Sequence, residues 1–239
     1  MYNLAFDAAH QAFRDWEQQH PGDPLGPVSD AAAWLFAELD RLRILQSELF
    51  VDDHRYKSFR RPLADPIVKR RFEEALARGE RLASAALARN PNDRNALFAS
   101  VLKLGLRADH QALIERKNLA ALSLTKESRH VAEQLLAHHP DCHDAHLAIG
   151  VENYLLSLKP LLLRWLLRAG GARTDQQEGI ARLRITAEKG RYLKPYAQLL
   201  LAVAELRNDR REPARQILLS LAQQFPANRL FREELARLD

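Results

Sequence analysis

The chain has 239 residues, 46% of them hydrophobic and 28% charged, with a formal net charge of +5. That balance describes a globular chain long enough to bury a sizeable core. The single cysteine, Cys142, excludes an internal disulfide, and no apolar run is long enough to span a membrane.

The start, MYNLAFDAAHQAF, lacks the basic-then-apolar order of a signal peptide and reads as if it begins inside a structural element. The default compartment is cytoplasmic, or exported if a signal peptide is removed upstream of residue 1. The next segment, SDAAAWLFAELDRLRILQSELF, repeats apolar residues at helical steps (Trp34, Leu35, Leu39, Leu42, Leu45, Leu49), with Ser29 as its cap. Asp65 and Pro66 open a long helix with Phe72, Leu76, Gly79, Ala83 and Ala86 on one stripe, and Pro91 stops it. Helices then follow over 94–107 and over 110–138, with a break near Ser123–Ser128. Further helices are expected over 143–157, 160–169, 175–189, 195–207, 211–224 and 228–238. TDQQE and NDRRE each offer a capping residue with Gln or Glu three positions on. The connections are short, which favours antiparallel neighbours.

One phrase recurs: an amphipathic helix, a proline, and an acidic or amide residue just beyond, as in QQHPGDP, ARNPND, AHHPDC and QQFPAN. Ala9 and Phe13 precede Pro21 at the same steps by which Ala214 and Leu218 precede Pro226. In HLAIGVENY, Gly150 stands just inside a helix, where a close crossing requires a residue without a side chain. These residues resemble the tetratricopeptide-repeat family, best over 6–21 and 195–226, moderately over 138–154 and loosely over 60–137. The proline intervals are unequal, so the array is divergent. The segment GIARLRITAEKGRYLKPYAQLLLA, followed by FPANRLFREEL, looks like a subgroup of that family with bacterial members and eukaryotic outer-membrane relatives.

The resemblance implies an all-α fold: a right-handed α-solenoid of antiparallel helix pairs, about ten to twelve helices with some longer than usual. It implies a single helical-repeat domain over 1–239 whose first unit lacks its first helix, with 155–174 as an apolar insertion. Projecting the family's concave face gives a groove of Asn95, Phe98 and Leu102, then Asp144, Leu147, Val151 and Tyr154, then Tyr196, Leu199 and Val203. That lining is mostly apolar. It disfavours the family's Lys, Asn and Arg clamp for a C-terminal carboxylate and suits an apolar helix or extended peptide.

The stretch LLAHHPDCHDAHLAIGVENY gathers His138, His139, Cys142, His143 and His146, all ligand types for zinc. No second Cys/His pair accompanies them, and a helix junction explains the same residues. Pro140 ends one helix, Asp141 or Asp144 caps the next, the paired histidines sit at a helix C-terminus, and His146 packs. No metal or cofactor is therefore expected. There is no phosphate loop, nucleophile elbow or HExxH helix, GG at 170–171 is a C-cap signal, and Asp52-Asp53-His54 reads as a polar loop, so no enzyme activity is expected. The arginines lie beside Glu or Asp along each helix, the pattern of solvated ion-paired faces, so nucleic acid is not an expected partner.

The expected role is a non-catalytic protein- or peptide-binding scaffold. The alternative is a hydrophobic-ligand or membrane-surface module built on LLSLKPLLLRWLLRAGG, residues 155–171, which is apolar nearly all round. The expectation is that this segment forms a lid over the groove through Leu162, Trp165 and Leu166. Burial against a partner or a membrane surface are the other outcomes. Exposed apolar ends of the array offer a route to a homodimer.

Overall fold

The computed structural model describes residues 1–45, 63–157 and 175–238, and the regular structure among them is entirely helical. Ten α-helices succeed one another: α1 (Phe6–Gln19), α2 (Leu25–Arg41), α3 (Pro66–Arg89), α4 (Arg94–Asp109), α5 (Asn118–His138), α6 (His146–Ser157), α7 (Gln176–Lys189), α8 (Lys194–Arg207), α9 (Arg211–Gln224) and α10 (Arg229–Leu238). A π-helical turn, His110–Ile114, extends α4, and a 3-10 turn, His143–Ala145, leads into α6. Each α-helix packs on the next along the chain, and α2 also touches α4.

Capping chemistry sets several boundaries as the sequence predicts. Asp65 accepts the Ile67 N–H at 2.7 Å ahead of Pro66, and Asp175 accepts from Gln177 and Glu178. Other expectations are corrected. Helix α2 begins at Leu25 with Ser29 inside it, because Asp23 accepts the Leu25 N–H at 3.0 Å and two prolines fall where no N–H partner is needed. The break expected near Ser123–Ser128 lies instead at Glu115–Lys117, where Arg116 adopts φ 58°. Ser128 does not interrupt α5; its buried hydroxyl donates to the Val101 carbonyl of α4. NDRRE forms no capping box: the residue before α9 is Arg210, with no side-chain cap bond.

The core runs as a chain of apolar clusters. Val28, Leu35, Leu39, Phe72, Leu76 and Ala99 form the first, between α2, α3 and α4. The stripe predicted for α3 is buried in full, and burying a side chain the size of Phe72 contributes about 2–3 kcal/mol. Leu102 packs against both the first and second clusters and joins them, as Ile217 joins the third to the fourth. Two crossings are tighter than side chains allow. A Cβ on Gly79 would collide with Val28 Cγ2, and one on Gly150 would stand 3.0 Å from the Gly179 carbonyl and from Leu183. Gly179 is closer still, its Cβ position lying 2.7 Å from the Tyr154 backbone nitrogen. Helices α6 and α7 thus meet backbone to backbone, as the position of Gly150 predicts.

Polar pairs pin the first helices. His10 Nδ1 and Asp30 Oδ1 lie 2.6 Å apart in the α1–α2 interface, with Trp34 Nε1 donating to the other Asp30 oxygen. Helix α2 also meets two of the later helices: the Phe36 ring stands edge-on to Tyr196 of α8 at 5.8 Å, and Arg229 of α10 donates to Asp40 at 2.8 Å.

Candidate functional site

The turns that precede α4, the α6 entry and α8 are tied to one another. Asp93 caps α4 by accepting the Ala96 N–H. Across the α4–α5 interface, His139 Nε2 lies 2.7 Å from the Asn92 carbonyl, Gln134 reaches the Pro91 carbonyl, and Arg94 donates to Asp141 at 2.7 Å. Asp144 then accepts the N–H groups of Arg191, Tyr192 and Leu193 at 2.8–3.0 Å. This corrects the expected cap, because the side-chain oxygens of Asp141 and Asp144 bond Arg94 and residues 191–193 and not the start of α6.

The same wiring engages two of the clustered histidines. His139 faces Asn92, while His146 Nδ1 accepts from Arg182 Nη1 at 3.1 Å. Burial, with Arg182 and His143 adding to it, pushes the His146 pKa down to about 4. Cys142 is buried and its thiol is pushed up by desolvation. Among the described residues no group of three or more His, Cys, Asp or Glu could hold a metal ion.

The ten residues projected onto the groove come from α4, from the α6 entry and α6 itself, and from α8. Phe98, Asp144, Tyr154 and Val203 are buried, while Leu102, Leu147, Val151, Tyr196 and Leu199 are half-buried. Asn95 is exposed, with its amide 3.5 Å from Asp23. Phe98 stacks near Tyr192 at 5.9 Å, and Leu147 and Val151 pack on the cluster that contains Leu183 and Leu201. The expected lid residues Leu162, Trp165 and Leu166 lie outside the described residues, as does Asp52-Asp53-His54. No helix of the described residues is long and apolar enough to cross a membrane.

Two residues that the sequence does not single out join this face. Asp109 closes α4 half-buried, and desolvation lifts its carboxyl to about 7. Tyr196 is pushed well above the usual phenol range by burial, with Asp109 and Tyr2 adding to the shift. The one sequence clue to Asp109 is a carboxylate in the last turn of a helix, where the dipole disfavours it. Tyr2 arrives from the N-terminal segment. Its hydroxyl donates to the Tyr192 carbonyl at 2.9 Å, and its ring stands 5.3 Å from Phe225. Desolvation and the nearby Asp144 carboxylate raise its pKa. The inner residues therefore combine aliphatic surface with a ring of tyrosines and one carboxyl that changes charge near neutral pH.

Comparison with known proteins identifies no relative: no family model, no curated protein and no solved structure matches the chain.

Proposed function

We propose that the protein is a non-catalytic scaffold, a right-handed solenoid of divergent tetratricopeptide-like helix pairs that binds a protein or peptide along α4, α6 and α8. The observation that carries this reading is the turn-to-turn bonding. Residues 91–92 are held by His139 and Gln134, and residues 191–193 are held by Asp144. Repeated bonds between successive turns are what stacked helix pairs of one kind make. The half-buried Leu102, Leu147, Val151 and Leu199 offer apolar contact area, and Tyr196 offers a ring with a polar tip, the combination that peptide grooves use.

The test is selection of peptides from a random display library against the full chain, repeated with Leu199→Asp. The expected result is an enriched apolar consensus that the variant no longer retains while its circular dichroism is unchanged. No enrichment on the parent chain, or enrichment indifferent to Leu199, contradicts the reading.

A further inference from the structure

Residues 1–4 belong to no helix, yet they are tied to residues far along the chain. Three hydrogen bonds, all to residues about 190 or more positions away, hold them. The Tyr2 hydroxyl donates to the Tyr192 carbonyl at 2.9 Å, Asn228 Nδ2 donates to the Tyr2 carbonyl at 2.9 Å, and the Ala227 N–H donates to Asn3 Oδ1 at 3.2 Å. The receiving side is built in advance. Asn228 is buried, and its own Oδ1 accepts the Leu230 N–H at 3.0 Å, which fixes the amide so that Nδ2 faces the strap. Phe225 supplies a ring wall, and the Tyr192 carbonyl just ahead of α8 supplies the acceptor.

The strap itself is cheaply released. Leu4 sits at φ 58°, a left-handed conformation that leucine disfavours. Withdrawing residues 1–4 breaks no helix, since α1 begins at Phe6. A slot with fixed donors and an occupant in a strained conformation fits an exchangeable ligand better than a foundation of the fold.

We propose that the slot between residues 191–196 and 225–228 is a recognition site for a partner segment containing an unphosphorylated tyrosine followed by asparagine or aspartate, and that Met1–Leu4 occupies it as an internal competitor. Each feature of that segment answers a named group. The phenol donates to the Tyr192 carbonyl and packs on Phe225, the tyrosine carbonyl accepts from Asn228, and the next residue must carry a side-chain oxygen for the Ala227 N–H. A phosphate on the ring would replace the hydroxyl that donates to the Tyr192 carbonyl and add negative charge where the Asp144 carboxylate already acts on the phenol, so the phosphorylated segment is disfavoured. The proposal rests on the peptide-scaffold reading and specifies one subsite of it.

The experiment uses the full chain and a fluorescein-labelled peptide of sequence YNLAF with an acetylated N-terminus. The full-length double variant Tyr2→Ala/Asn3→Ala should bind it at least tenfold more tightly than the parent chain does. That gain should vanish when Asn228→Ala is added or when the peptide tyrosine is phosphorylated. Met1 is the only methionine, so its 13C-methyl signal in the parent chain reports the strap and should move toward the free-peptide position as unlabelled YNLAF is added. Equal binding by the double variant and the parent overturns the proposal. A double variant that no longer melts cooperatively also overturns it, because the strap would then be part of the fold. Should the strap proposal fail while library-selected peptides still depend on Leu199, the scaffold reading stands and only this subsite falls.

Discussion

The α6–α7 contact and the strap contact hold this molecule together by opposite means. At the first, Gly150 and Gly179 let two backbones touch, the neighbours within reach are main-chain atoms and Leu183, and no side chain can be added. At the second, four residues reach across the chain, and half-buried side chains and hydrogen bonds to backbone carbonyls do the holding. The dry crossing has one arrangement. At the strap, Asn228 is oriented by its own bond from the Leu230 N–H, independently of the segment it meets. A single chain thus contains a joint that tolerates nothing and a joint built for exchange.

The sharpest way to break that comparison is at the crossing. Gly150→Leu should cost about 3 kcal/mol or more, because the clash is with the Gly179 carbonyl as well as with Leu183. An unchanged melting temperature would remove the crossing from the account.

The next effect lies on the inner face and depends on pH. The folded carboxyl of Asp109 titrates near 7, well above its ordinary value. A raised carboxyl pKa leaves the folded state unpenalised below pH 4, and the penalty grows as pH rises through 7 because the unfolded chain ionises first. Asp109→Asn should therefore match the parent at pH 4 and become more stable than it by pH 8. Partial access to solvent keeps the difference to about 2–3 kcal/mol. Thermal melts of both proteins at the two pH values check this, and a difference that does not change with pH contradicts it.

The smallest effect sharpens the strap. Tyr2→Phe keeps the ring on Phe225 and loses only the bond to the Tyr192 carbonyl, so it should cost about 1 kcal/mol. A loss as large as that of Gly150→Leu would show the strap to be structural.

How far each joint could be read beforehand follows from the range of its cause. The stripe from Phe72 to Ala86, the Asp65 and Asp175 caps and the glycine crossing are local patterns with one physical solution, and they are legible in the sequence. Asp144 and Ser128 were legible only as residue types. A capping aspartate and a helix-breaking serine also bond readily to other segments of the chain, and here both do. The strap was not legible at all, because nothing in MYNL encodes contact with residues 192 and 227–228. The groove positions came from the resemblance to a repeat family. The structure shows how deeply each is buried.

The measurement that tests the groove most directly is a methyl NMR titration of the full chain with a library-selected peptide. The account predicts shifts confined to Leu102, Leu147, Val151, Leu199 and Val203, with the methyls of Ile67 and Leu119, which are exposed on the surface, unmoved. Shifts centred on those exposed residues, with the five inner methyls silent, would contradict it.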